Sequence, residues 1–195
     1  VNTVVQRNGK LFGYNTDYFG FRYMLEHNHI LIAGKKVLVL GRGGASKAVI
    51  AVLEDMGAAE IHTIYYKIAE DSISYETCYA LHTDAQVIVN TTPVGMYPNS
   101  GHIPIDLTPF TKLEAVADVV YNPLRTRLVL DAEEKGCQAI GGLEMLVGQA
   151  KYAVEIFLDQ SLPEDSIDVV YKDLMAERRN LVLIGMSGCG KSTLG

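Results

Sequence analysis

One feature narrows the possible folds of this chain more than any other. A glycine-rich turn, Gly41-Arg42-Gly43-Gly44-Ala45, stands directly between an apolar run and a segment of helical periodicity. Lys36-Val37-Leu38-Val39-Leu40 is short and almost continuously apolar, the composition of a strand buried on both faces of a parallel sheet. From Ser46 to Met56, the residues Ala48, Val49, Val52 and Leu53 recur at helical spacing, and Gly57 stands where a helix closes. Strand, glycine turn and helix in that order make a dinucleotide site. Gly41 admits the tight turn, Gly43 lets the backbone approach a pyrophosphate, and the amides and dipole of the helix start favour the anion. Gly41, Gly43, Gly44 and Ala45 are therefore predicted to hold a pyrophosphate, with Ser46 or Ala48 as the small third position. The plain alternative is a loop that only turns the chain, and the flanking strand and helix weigh against it.

The rest of the chain alternates in the same way. A hairpin is predicted from Val4-Val5 through a turn at Arg7-Asn8-Gly9 to Lys10-Leu11, because Asn-Gly favours a type I′ turn. Asp17 then stands as the N-cap of a helix over Tyr18 to Glu26. Further strands are read at Ile61–Tyr65, Val87–Asn90, Ala117–Val120 and Gln138–Ile140, and helices at Leu128–Lys135 and Leu143–Leu158. Such alternation predicts an α/β fold, a Rossmann-like doubly wound parallel sheet. After Pro163 the residues from Glu164 to Arg179 read as a charged helical connector, followed by a new buried strand at Leu181–Ile184.

Composition removes several classes of function. The 195 residues carry a formal charge of −6 with no basic run, which argues against nucleic acid as a partner. No apolar run approaches a membrane span, and nothing at the start reads as a signal peptide. Cys78, Cys137 and Cys189 have no pairing pattern and read as reduced thiols of a cytoplasmic protein. The chain opens on strand-like Val1-Asn2-Thr3 and closes inside a motif, whereas domain boundaries fall in polar linkers, so it reads as a fragment of a longer polypeptide.

That closing motif is Gly185-Met186-Ser187-Gly188-Cys189-Gly190-Lys191-Ser192, a match to the P-loop pattern after a strand. In a P-loop, backbone amides cradle phosphate, the lysine meets the β- and γ-phosphates and the serine binds Mg²⁺. Gly190, Lys191 and Ser192 thus read as the vestige of an ATP-phosphate site, cut off before the rest of such a unit.

Six motifs occur in order: Asn2-Thr3-Val4, Gly13-Tyr14-Asn15-Thr16-Asp17, the glycine turn through Ala48, Asn90-Thr91-Thr92-Pro93-Val94-Gly95-Met96, Asp118-Val119-Val120-Tyr121-Asn122-Pro123, and Gly142-Leu143-Glu144-Met145-Leu146-Val147-Gly148-Gln149-Ala150. Together, over roughly Val1 to Leu162, they resemble shikimate dehydrogenase, which reduces 3-dehydroshikimate to shikimate with NADPH. The resemblance implies that Asn2, Asp17, Tyr121 and Gln149 face the hydroxyls and carboxylate of shikimate. It implies that Thr92, Val119, Gly142 and Met145 surround the nicotinamide of NADP. Taken singly, Asn2 and Gln149 are ordinary surface amides and Asp17 a helix cap; their joint order favours the site.

In the family, proton transfer is shared by a lysine of an N-terminal domain and the aspartate matched by Asp17. The resemblance divides the chain into the end of a substrate domain with a linking helix (1–30), a dinucleotide domain (31–162), the connector (163–180) and a truncated P-loop unit resembling shikimate kinase (181–195). The parent chain is then expected to be a dehydrogenase–kinase fusion, with the substrate and kinase domains lying beyond these residues and the fragment inactive alone.

Two departures stand out. The second strand ends Ile64-Tyr65-Tyr66-Lys67 without the carboxylate that marks NAD, and Lys67 leans toward a 2′-phosphate. The family's Asn-Arg-Thr after that strand is missing too. Only Tyr66 to Ser72 separate it from the strand-like Ile73-Ser74-Tyr75, so the crossover helix is expected to be absent. Left open are NAD against NADP, quinate against shikimate, a kinase-type ATP phosphotransferase, and a nucleotide-binding module without catalysis.

Overall fold

A computed structural model describes residues 1–67, 70–163 and 165–177. The strand at 181–184 and the P-loop residues Gly190, Lys191 and Ser192 lie outside the described residues, as does the end of the connector.

The chain begins with an antiparallel hairpin of β1 (Thr3–Arg7) and β2 (Lys10–Tyr14). Its turn residues Asn8 and Gly9 have φ of 51° and 76°, the left-handed pair that a type I′ turn requires. Helix α1 (Thr16–His27) follows. Its cap is not Asp17, as the sequence reading had it, but Asn15. That residue has an extended backbone, and its side chain accepts from the Asp17 amide at 3.2 Å. Asp17 lies inside the first turn, which frees its carboxylate from capping.

The five remaining strands are β3 (Lys36–Leu40), β4 (Glu60–Ile64), β5 (Val87–Asn90), β6 (Ala115–Asp118) and β7 (Gln138–Ile140). They form one parallel sheet in the order β4-β3-β5-β6-β7. Between them run α2 (Gly44–Asp55), α3 (Tyr75–Leu81) and α4 (Arg127–Glu134), and after them α5 (Leu143–Leu158) and α6 (Ser166–Glu177). The chain runs from β3 outward to β4 and then returns past β3 to β5. A crevice therefore opens at the carboxyl ends of β3 and β5, where the winding reverses.

Alternation along the central strands divides the core. Val37 and Val39 of β3, with Val87, Val89, Ala115 and Ala117, pack against Phe21 and Met24 of α1, Val49 and Leu53 of α2, and Met145 of α5. Leu38 and Leu40, with Ile88 and Val116, face the opposite layer of Cys78, Phe110, Leu128 and Ala132. Burial on both faces is why these strands read as continuous apolar runs. Helices α1 and α5 approach backbone to backbone: a Cβ on Gly20 would lie 2.5 Å from the Met145 carbonyl oxygen, and one on Gly148 would lie 3.1 Å from the Gly20 Cα. Helix α6 docks through buried Ile167, and Tyr23 Oη donates to Asp168 at 3.0 Å.

The second crossover corrects the sequence reading. Ile73 forms only a single parallel bridge to Ile64, and the expected strand stops there. Ser74 accepts from the Thr77 amide and starts α3, so a short crossover helix is present. The residues Tyr75, Cys78 and Tyr79 have helical spacing, and β-rich composition at Ile73-Ser74-Tyr75 hid it. Strand β6 also begins and ends two residues earlier than expected: Ala115 pairs with Val87 and Asp118 with Asn90, and past that end the Val120 amide donates to the Asp118 carboxylate.

Candidate cofactor and substrate cleft

The crevice at the carboxyl ends of β3 and β5 has a volume of about 620 Å³, and its lining includes Gly41, Gly43, Tyr65, Tyr66, Thr92 and Val94. Its floor is the glycine turn. Gly41 has φ of +104°, and a Cβ there would lie 2.9 Å from both Thr91 Oγ1 and Thr92 Cγ2. Only glycine fits. Thr91 Oγ1 ties down the same corner by donating to the Leu40 carbonyl at 2.6 Å.

Gly43 is the N-cap of α2 with no side chain to cap the helix amides, its carbonyl accepting from Ser46 Oγ at 2.7 Å, and the first turn carries no acidic residue. A Cβ on Gly43 or Gly44 would meet nothing within 4 Å. The fold itself therefore gives no steric reason for glycine at either position. An anion that must approach the backbone does, so Gly43, Gly44 and Ala45 at this helix start fit a pyrophosphate.

Beside the turn lies a buried polar network built on Asn90 and Asp118, residues of two of the sequence motifs for which no role was expected. Asn90 and Asp118 end adjacent strands in register, and Asn90 Nδ2 donates to Asp118 Oδ1 at 2.9 Å. The Val120 amide donates to the same oxygen at 3.0 Å, and Thr126 Oγ1 donates to Asp118 Oδ2 at 2.6 Å. Burial pushes the Asp118 carboxyl up to about 6 against the pull of those three donors. Asn90 Oδ1 accepts from both the amide and the hydroxyl of Thr92, at 3.0 and 2.7 Å. Thr92, predicted to lie near the nicotinamide, is held by this network. The signal in the sequence was one polar residue inside each of two otherwise apolar runs, Asn90 closing the first and Asp118 interrupting the second.

Val119, Gly142 and Met145 are brought together. A Cβ on Gly142 would fall 2.1 Å from the Val119 carbonyl oxygen, and the Gly142 amide donates to the Val120 carbonyl at 3.0 Å. Met145 is buried in the core cluster against which Val119 packs.

Of the substrate set, Asn2 and Asp17 meet: Asn2 Nδ2 donates to Asp17 Oδ1 at 3.1 Å. Asn2 is fixed in turn because its Oδ1 accepts from the Thr16 amide at 2.8 Å. Gln149 lies on α5 where that helix abuts α1, its amide nitrogen 2.8 Å from where a Gly20 Cβ would stand, one turn beyond Asp17. Tyr121 is 39% exposed in the segment leaving β6.

The loop after β4 carries Lys67, the residue expected to lean toward a 2′-phosphate. Lys67 Nζ lies 5.3 Å from the ring of Tyr66, whereas Arg42 is engaged by Asp71, Nε to Oδ1 at 2.6 Å. Arg42 and Asp71 were given no ligand role from sequence. Nothing in their spacing announces the pair, because the loop after β4 alone brings them together. Among the described residues no group of His, Cys, Asp and Glu side chains is arranged to hold a metal ion, and no helix is long and apolar enough to cross a membrane.

Known proteins share this fold. A shikimate dehydrogenase (NADP(+)) of Clostridium perfringens is 35% identical over 184 residues, which cover 89% of this chain and 68% of that protein. The chain belongs to the shikimate dehydrogenase family. A Clostridium beijerinckii member is 38% identical over 171 residues, 83% of this chain and 63% of its own length. No family model matches. Among solved structures of the family, a chorismate mutase/shikimate 5-dehydrogenase fusion protein from Clostridium acetobutylicum superposes with a TM-score of 0.84 at 34% identity. It covers 89% of this chain and 66% of its own. Shikimate 5-dehydrogenase from Thermus thermophilus, in complex with NADP(H) and shikimate, gives 0.75 at 28% identity, over 87% and 66% of the two chains. The Listeria monocytogenes enzyme, in complex with shikimate and NAD, gives 0.72 at 30% identity, over 86% and 66%. The chain thus spans about two thirds of the length of the family members it matches.

Proposed function

We propose that this chain is the cofactor half of an NADP-dependent shikimate dehydrogenase, acting on the pair 3-dehydroshikimate and shikimate. The observation that carries the reading is the open helix start at Gly43 and Gly44, whose missing side chains serve no purpose within the fold. Family members named for NADP, and a homologous structure holding NADP(H) and shikimate, support the same cofactor. Bound NADPH supplies a hydride. The residues of this chain do the rest. Gly41 to Ala45 hold the pyrophosphate. Thr92, positioned by Asn90, bounds the nicotinamide together with Val119, Gly142 and Met145.

Asn2, Tyr121 and Gln149 offer hydrogen bonds to a polyhydroxy acid, and Asp17 exchanges a proton at the hydroxyl formed or consumed. With Oδ1 engaged by Asn2, the proton is handled at Asp17 Oδ2. The division at 1–30, 31–162 and 163–180 gives Asn2 and Asp17 to the first segment, the cofactor contacts together with Tyr121 and Gln149 to the second, and a connector to the third. Calorimetric titration of the purified chain with NADP, NAD and ATP tests the assignment. Binding of the dinucleotides without NADPH oxidation in the presence of 3-dehydroshikimate is the expected result. Turnover would refute the expected inactivity of these residues alone, and failure to bind either dinucleotide would refute the cofactor assignment.

A second activity is favoured by one observation, the P-loop pattern Gly185 to Ser192. We propose that it opens a kinase-type phosphotransferase unit on the same polypeptide, acting near the dehydrogenase in one pathway. The fusion of a family member to another enzyme in Clostridium acetobutylicum supports such an arrangement. An ATP titration lost on Lys191→Ala supports it; ATP binding that Lys191→Ala leaves unchanged removes it.

A further inference from the structure

We infer that Asp71 sets the preference between NAD(H) and NADP(H) by competing with the adenosine 2′-phosphate for Arg42. The inference rests on the cofactor reading above and concerns one corner of that site.

In a Rossmann domain the adenosine ribose lies at the carboxyl end of the second strand. A carboxylate there accepts from the 2′-hydroxyl of NAD, whereas a nearby arginine takes the 2′-phosphate of NADP. The corresponding strand here, β4, ends at Ile64, and the glycine turn abuts that end: the Gly41 amide donates to the Ile64 carbonyl at 2.9 Å. Arg42 is the next residue, and it lines the crevice together with Tyr65 and Tyr66. It is the arginine in position to meet a 2′ substituent.

The carboxylate arrives by a different route. The chain leaves β4 and is pinned back beside it, with the Tyr65 amide donating to the Ile73 carbonyl at 3.0 Å and the Ile73 amide to the Thr63 carbonyl at 2.9 Å. Asp71 lies two residues before that closure, which fixes where its backbone runs. Its Oδ1 meets Arg42 Nε at 2.6 Å, and the guanidinium holds the Asp71 carboxyl below its usual range, so it is charged at neutral pH. Both recognition elements, the acid for a 2′-hydroxyl and the base for a 2′-phosphate, thus occupy one corner and are paired with each other.

The pairing has unequal consequences for the two cofactors. A ribose 2′-hydroxyl can donate to Asp71 with the ion pair intact. A 2′-phosphate must take Arg42 for itself, in a charge-assisted contact, and sits against the Asp71 charge while it does so. The pair is breakable: the side chains of Arg42 and Asp71 are 45% and 64% exposed, and pairs of that kind contribute little to stability. Asp71 is therefore a charge filter, one that disfavours NADP(H) without excluding it.

The test uses the whole chain and two probes that differ only at the 2′ end, 5′-AMP and 2′,5′-ADP, titrated calorimetrically into wild type, Asp71→Asn and Arg42→Gln. Asp71→Asn is expected to tighten 2′,5′-ADP by about three- to tenfold and to leave 5′-AMP within about twofold. The gain should shrink toward nothing in about 0.5 M salt, a response that a merely structural role would not produce. Arg42→Gln is expected to weaken 2′,5′-ADP selectively. If both probes bind and Asp71→Asn leaves their ratio unmoved, the charge filter is overturned while the cofactor reading stands. If neither probe binds any of the three proteins, the cofactor reading falls and the filter with it.

Discussion

Gly142 and Gly43 occupy equivalent positions in the molecule. Each is the N-cap of a helix that follows a parallel strand, α5 for the first and α2 for the second, and neither helix start has a side-chain cap. Both have ordinary backbone angles, with φ of −75° and −84°, so neither is glycine for conformational reasons. A Cβ on Gly142 would collide with the Val119 carbonyl at 2.1 Å, and a Cβ on Gly43 would meet nothing. The protein needs the first glycine in order to close on itself. The second answers to no close packing of the chain, and the pyrophosphate proposed above would use the space it leaves. The same contrast separates the two halves of the crevice: the side proposed for the nicotinamide is built from backbone contacts and buried polar bonds, the side proposed for the adenine from exposed side chains on two loops.

The largest effect follows from the first glycine. Gly142→Ala forces α5 away from β6, because a carbonyl oxygen in a strand-to-helix corner has little room to yield. A loss of about 3 kcal/mol or more is expected in urea unfolding monitored by circular dichroism. An unfolding midpoint within experimental error of wild type would mean that α5 slides freely, and the distinction between the two glycines would collapse.

The buried network on the same side gives a smaller effect with a pH signature. Burial raises the Asp118 carboxyl to about 6, so the folded chain keeps its proton at pH values where the unfolded chain has released it. Stability contributed by this group is present below the unfolded value near 4 and is lost as pH rises through about 6, a change on the order of 2 to 3 kcal/mol. Asp118→Asn carries no proton to release. Measured as the difference from wild type, which cancels the other carboxylates, the variant should compare least well at pH 4 and gain ground until about pH 6. A difference that stays constant with pH would show that Asp118 is ionised throughout and that its three donors outweigh its burial.

These two halves were not equally legible in the sequence. Strands β3 and β5 were readable because burial on both faces leaves an unbroken apolar run, and the Asn8-Gly9 turn because few dipeptides accept two left-handed residues. The Asn90–Asp118 network was half visible, as single polar residues in two apolar runs, but its bond depends on a strand register that neither segment contains. Asp17 was misread as a cap because Asn15 and Asp17 are both good caps, and only the extended backbone at Asn15 decides between them. The helix at Tyr75 was hidden because seven residues with two tyrosines satisfy strand and helix patterns alike. Arg42 and Asp71 were beyond reach. Their encounter is made by loop closure at Ile73, a tertiary event that propensity does not register.

The second glycine provides the smallest effect on the fold and the sharpest test of the contrast. At Gly43 an alanine keeps the observed φ without strain and fills open space, so Gly43→Ala should cost less than about 1 kcal/mol, chiefly because alanine is a poorer helix cap. The methyl would stand over the amides that start α2, where a pyrophosphate must come to within hydrogen-bond distance, and dinucleotide affinity should fall tenfold or more. Binding measured beside unfolding on the same preparation separates the two quantities. If the variant unfolds as readily as Gly142→Ala, Gly43 is a structural glycine and its open surroundings mislead. If it stays folded and binds NADP as wild type does, the space above the turn belongs to no ligand. Only a stable variant that has lost the cofactor leaves each glycine with its own reason: one demanded by the chain, the other by what the chain holds.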